Sequence, residues 1–229
     1  MTPSYRPSRR EFVWLTGLAA SLALPLRGRA AVQPDAVLAR LLEGNKRFVN
    51  GQLAHPGRKP EDFAALAEGQ APLAAIVGCA DSRVGPEVIF DQGVGDLFVV
   101  RVAGNIVSGA GPTVKGSIEF AVGELGVRLI MVLGHSQCGA VKAAIKHIDD
   151  NDALPGSIGE LIDPIRPSVR AVTGKPGDKL ENVIRANVLE GANRLKGLDP
   201  IIAKLARSGE LKVVGACYQL RTGAVDVYE

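Results

Sequence analysis

Leu73-Ala74-Ala75-Ile76-Val77-Gly78-Cys79-Ala80-Asp81-Ser82-Arg83 is an apolar run that stops abruptly on a thiol, a carboxylate and a guanidinium. Six apolar residues without alternation suit a strand buried on both faces, as in parallel sheets covered by helices. The design recurs at residues 128–134, whose tip delivers His135-Ser136-Gln137-Cys138. Outward from these two runs, residues 97–102 and 211–218 read as further strands. Residues 224–228 read as an edge strand after the turn at Thr222-Gly223.

Helical segments separate the strands. Residues 35–48 carry apolar side chains at roughly helical period, and Gly51 ends them. Residues 60–68, 86–91, 112–125 and 138–148 follow, then a long region at 180–208 that Gly191, Gly197 and Pro200 are expected to interrupt. The fold class is therefore α/β: a central, mostly parallel sheet of about four parallel strands plus an edge strand, flanked by helices. The N-terminal helix precedes every strand and is expected to pack on a partner subunit. In such sheets ligand sites lie beyond the carboxyl ends of the strands, where both polar stretches fall.

The residue types there suit zinc. Cys79 and Asp81 stand at i and i+2 just past a strand, and His135 and Cys138 at i and i+3 across a turn into a helix. A helix start favours the Cys138 thiolate. Two thiolates and an imidazole leave a fourth tetrahedral position for water or for Asp81, and an open position separates catalytic from structural zinc. One disulfide plus a spare thiol would also account for three cysteines. It would not call for histidine and carboxylate at these positions. Cys217, inside an apolar strand, reads as an inert core thiol.

The chain has 229 residues, 46% of them apolar, a formal charge of +3 and only 4% aromatics. The charge sits at the start. Residues 1–30 hold Arg6, Arg9, Arg10, Arg27 and Arg29 against Glu11, and without them the totals of 27 basic and 24 acidic residues become 22 and 23. A near-neutral remainder poor in aromatics gives no reason to expect a nucleic-acid partner. Ser8-Arg9-Arg10-Glu11-Phe12-Val13, an apolar stretch over 12–26 containing Pro25, and Gly28-Arg29-Ala30 resemble a twin-arginine export signal. The stretch is shorter than the roughly 20 apolar residues of a membrane span. Residues 1–30 are thus expected to be a signal peptide and 31–229 a single α/β domain, periplasmic after folding, with no stable membrane anchor in the mature form.

Cys79-x-Asp81-x-Arg83, Val102-Ala103-Gly104-Asn105 and Gly134-His135-Ser136-x-Cys138-Gly139 together resemble the β-class carbonic anhydrases, from about Asp35 to the end of the chain. The resemblance implies an enzyme that interconverts carbon dioxide and bicarbonate, with one Zn2+ per subunit and a homodimer or dimer-based higher oligomer. It implies Cys79, His135 and Cys138 as permanent ligands. Asp81 is implied as a carboxylate that either pairs with Arg83 or enters as fourth ligand and shuts the site. A guanidinium fork does hold a carboxylate bidentately. Members that bicarbonate closes carry tryptophan three residues before the first cysteine, where this chain has Ile76. Members with a constitutively open site carry a glutamine nine residues before it, which Gln70 matches. By resemblance Gln70 reaches across the dimer interface to orient substrate at the partner's zinc.

Two alternatives fit the same residues: the same fold acting on carbon disulfide or carbonyl sulfide, and a non-catalytic zinc protein. Retention of both Asp81 and Arg83 argues against the latter. His55 and His147 are candidates for carrying the released proton by residue type alone, and read as ordinary surface histidines. The glycines of residues 102–112 fit neither the dinucleotide fingerprint nor the P-loop and are expected to shape the pocket wall, flanked by Arg101 and Asn105.

Overall fold

Side-chain alternation along the strands decides which helix covers which face. The computed structural model describes residues 33–107, 111–150, 152 and 154–228; the expected signal peptide and Gly109 lie outside them. The helices are α1 (Pro34–Val49), α2 (Phe63–Leu66), α3 (Pro86–Ile89), α4 (Gly111–Gly123), α5 (Gly139–Asp149), α6 (Ile158–Ile162), α7 (Arg166–Ala171), α8 (Lys179–Lys196) and α9 (Ile202–Arg207). The strands are β1 (Ala74–Gly78), β2 (Leu97–Arg101), β3 (Leu129–His135), β4 (Lys212–Tyr218) and β5 (Val225–Tyr228), in the order β2-β1-β3-β4-β5. Strands β2, β1, β3 and β4 run parallel, and β5 pairs antiparallel with β4.

Ala75 and Val77 of β1, with Ile130 and Val132 of β3, face α4, α8 and α9 through Ile118, Val122, Val188, Leu195 and Ile202. Ala74, Ile76, Leu129, Met131 and Leu133 point the other way, toward Val37 and Leu41 of α1 and Ile89 and Phe90. A third cluster lies over the carboxyl ends, where α5, α6 and α7 contribute Val141, Ala144, Ile162 and Val169, and the turn between α6 and α7 contributes Ile165, beside Cys79 and Cys138. Since β1 and β3 are neighbours while the chain between them visits β2, the sheet switches direction at that pair. Crevices open at such points.

Two expectations change, and two features stand beside them. Helix α1 seats one face in its own chain, because strands later in sequence supply the surface. Burial of Val37 and Leu41 there contributes at most roughly 3–6 kcal/mol. Gly191 does not interrupt α8. It sits inside the helix, where an added Cβ would stand 3.3 Å from Val132 Cγ1, so its smallness lets the helix approach the sheet. Strand β2 is only half buried because it is the free edge. Finally, α6 and α7 occupy a stretch with no clear period, held by Ile162, Ile165 and Val169 rather than by helix propensity.

Candidate metal centre

Gly78 lies level with Leu133, so Cys79 emerges beside the end of β3, whose last residue is His135. Gln137 takes φ 58°, and this left-handed step turns the chain so that Cys138 becomes the residue before α5. Cys79 Sγ, Cys138 Sγ and a His135 ring nitrogen lie within 4.8 Å of one another. The three residues are 3%, 1% and 0% exposed. The two sulfurs are 4.0 Å apart, against about 3.8 Å for tetrahedral zinc with Zn–S bonds of about 2.3 Å.

The donor set fits a divalent cation on three further counts. His135 Nδ1 lies 3.0 Å from Ser136 O, and a carbonyl only accepts, so Nδ1 carries the hydrogen and Nε2 the lone pair. His135 Nε2 is buried and has no hydrogen-bond partner among the described residues. The thiols also oppose each other. The contact with Cys138 draws Cys79 down, against burial and with help from His135 and the Gly104 N–H. Cys138 is driven up by that same contact, by burial and by the charge on Cys79, with the Val141 and Ala140 amides pulling back. A cation among the three donors would offset the repulsion between the sulfurs that keeps the second thiol protonated.

Asp81 stands at the rim. Arg83 donates from Nε to Asp81 Oδ1 at 2.9 Å and from Nη2 to Oδ2 at 2.7 Å, and its backbone N–H reaches Oδ1 at 3.0 Å. The Arg83 side chain, ahead of every other cause, holds the Asp81 carboxyl well below the usual carboxylate range. Asp81 Oδ2 is also 3.7 Å from His135 Nε2, so the carboxylate borders the triad while its fork faces away. Arg101, at the end of β2, donates to Cys79 O at 2.9 Å and Asp81 O at 2.6 Å and pins the backbone that carries both.

These residues match a described family. The model for the family described as Carbonic anhydrase covers residues 74–225. The chain belongs to the carbonic anhydrase family. Carbonic anhydrase 2 of Mycobacterium tuberculosis is 43% identical over 190 residues, spanning 83% of this chain and 90% of that protein. The carbonic anhydrase of Pseudomonas aeruginosa is 36% identical over 197 residues, 82% of this chain and 86% of that one. Among solved structures, the β-carbonic anhydrase CcaA superposes with a TM-score of 0.66 at 30% identity, covering 84% of this chain and 95% of that one. A tetrameric β-carbonic anhydrase of Sordaria macrospora gives 0.66 at 28%, with 84% and 96% covered. This chain is a β-class carbonic anhydrase, and its cofactor is zinc.

Other expected residues of this carbonic anhydrase fall elsewhere. Gln70 is exposed, four residues before β1 and so at the opposite end of that strand from Cys79. His55 Nδ1 lies 3.2 Å from Arg58 Nη1, and His147 Nδ1 lies 2.5 Å from Asp152 Oδ1. Cys217 is buried, and burial raises its thiol to about 11. Asn187 of α8, whose amide reaches the turn beside Cys79, escapes a reading by spacing because asparagine in a helix carries no metal-site signal.

Proposed function

We propose that Cys79, His135 and Cys138 hold one zinc ion per subunit and that the enzyme reversibly hydrates carbon dioxide to bicarbonate and a proton, with the site standing open. One observation carries this reading: Asp81 borders the unpartnered His135 Nε2 at 3.7 Å yet is bound on both oxygens by Arg83. Held among the three donors, zinc supplies a Lewis acid that lowers the pKa of a coordinated water to about 7. The protein's own groups do the rest. Asp81 Oδ2 accepts one hydrogen bond from Arg83 and keeps a lone pair free to accept another from the attacking hydroxyl group and aim it. With its pKa depressed, Asp81 stays ionised through the neutral range and acts as acceptor, never as proton source. Arg83 keeps the carboxylate from taking the fourth position.

We infer that the site is completed in a homodimer, with Gln70 of each chain donating to substrate at the other chain's zinc. Its exposure and its place at the far end of β1 support action in trans. The unpaired edge of β2 supports an interface there, as does Phe120, 47% exposed beside Phe98 at 6.4 Å. We also infer export in the folded state, from the paired arginines and apolar stretch of residues 8–30. No helix among the described residues is long and apolar enough to cross a membrane. Changing Arg9 and Arg10 to Lys should leave the protein in the cytoplasmic fraction; unchanged delivery to the periplasm would refute this route.

The substrate is tested on one zinc-loaded sample assayed for carbon dioxide hydration and for hydrolysis of carbonyl sulfide and carbon disulfide. Hydration dominating by orders of magnitude is expected. Sulfide hydrolysis without hydration would transfer the chain to the second reading, and stoichiometric zinc with neither activity to the non-catalytic one.

A further inference from the structure

Asn187 lies midway along α8, is 7% exposed, and donates from Nδ2 to Gly104 O at 2.9 Å. Gly104 is the centre of the tight turn Ala103–Asn105, with φ 76° and ψ 14°. Its own N–H donates to Cys79 Sγ at 3.2 Å. One residue thus offers its amide to a ligand sulfur while its carbonyl is gripped from another element.

The turn does not hold this shape unaided. Asn105 takes φ 45°, so two successive residues are left-handed, which for a residue with a Cβ persists only where the surroundings impose it. Within the turn, Asn105 N donates to Val102 O at 2.9 Å. From outside, Ile165 and Ala140 crowd the glycine; an added Cβ would lie 2.9 Å from Ile165 Cδ1 and 3.2 Å from Ala140 Cβ. Packing restricts where the turn can go, but only a directed bond fixes the rotation of the Gly104 peptides. Asn187 supplies that bond in a buried site, where the carbonyl has no water to replace it.

We propose that Asn187 is a positioning residue of the metal centre, acting through Gly104 to keep an N–H on the Cys79 sulfur. The proposal rests on the reading of Cys79 as a zinc ligand. A hydrogen bond to a ligand sulfur drains charge from it and fixes its lone pairs, so it tunes affinity and electronics rather than supplying a ligand.

The test uses the full chain and two variants. Asn187→Leu keeps bulk and removes the donor. Asn187→Asp keeps volume and sets an acceptor against the Gly104 carbonyl, and it carries the test if the leucine variant does not accumulate folded. Leu195→Val, a core change in the same helix away from the site, is the control for stability alone. Zinc affinity is measured by chelator competition, and cobalt(II) replaces zinc so that the thiolate-to-metal charge-transfer band reports on the sulfurs. Either Asn187 variant is expected to weaken zinc roughly 10- to 100-fold and move the band to lower energy. Leu195→Val is expected to lower the Tm and leave both unchanged. A wild-type band with affinity and band energy unmoved in the Asn187 variants would overturn the positioning role alone. A wild-type protein with no such band would overturn the metal-centre reading and the positioning role with it.

Discussion

Among the described residues every hydrogen bond to the Asp81 carboxylate comes from Arg83, two from its side chain and one from its backbone N–H, so that side chain governs whether the carboxylate stays off the metal position. A depressed carboxyl pKa has a definite sign: what Asp81 contributes is complete above about pH 4 and is lost only as pH falls through the lowered value. The activity profile of the wild type should therefore show no inflection from Asp81 between about pH 5 and 9, and Asp81→Asn should lower activity across that whole range. A shifted midpoint with an unchanged plateau would mean that Asp81 is the titrating group. Among the ligands, Cys138→Ser should lose zinc from purified protein, because two donors no longer close the triad. Full occupancy by metal analysis would remove Cys138 from the set. These residues could be read before any fold was known, since thiol, imidazole and carboxylate follow strand-like runs at chelating intervals. Asn187 could not, because its partner is a backbone carbonyl 83 positions away.

Elements depend on close approaches that few residues permit. Gly44 of α1 is the tightest: a Cβ there would fall 1.7 Å from Phe90 O, which is backbone and cannot swing aside. Gly44→Ala should therefore lift α1 from its seat and cost about 3 kcal/mol in urea unfolding, with an unchanged midpoint counting against this docking. Nearby, burial pushes Asp91 up, but the Ala54 and His55 amides and Arg47 outweigh it and hold it below its ordinary value. Arg47→Met removes the 2.7 Å charged bond and should cost about 2 kcal/mol at neutral pH. That difference should shrink as Asp91 is protonated below about pH 4. The strands were legible because burial on both faces demands unbroken apolar runs. Elements α6 and α7 were not, because they are short, are separated by a turn containing Pro164, include Pro167 in α7, and owe their form to contacts with α5 and α8. Gly191 misled for a related reason: a glycine that breaks an isolated helix can, in a packed one, be what lets it touch the sheet.

The whole molecule puts Gln70 and Cys79 at opposite ends of β1, so the proposed role of Gln70 at the metal centre calls for a second chain. If Gln70 acts in trans, a mixture of Gln70→Ala and Cys138→Ser chains, exchanged through mild denaturant, should regain activity in mixed dimers. There the intact zinc of one chain meets the intact glutamine of the other. No recovery would place Gln70 in its own chain's site or outside the reaction. Ile76 is buried in β1 where bicarbonate-closed relatives of the resemblance carry tryptophan, so a bicarbonate titration should show no steep sigmoidal inhibition. At this scale the edge strand β5 was legible from the turn before it, but the order of the four parallel strands was not, since no spacing encodes it. The most direct measurement of the proposed open zinc site is stopped-flow carbon dioxide hydration at pH 8 by wild type and Arg83→Ala, with zinc determined on the same samples. One zinc per chain in both, rapid hydration by the wild type and a loss of about a hundredfold in the variant are predicted. Stoichiometric zinc without hydration in the wild type, or full turnover in Arg83→Ala, would contradict it.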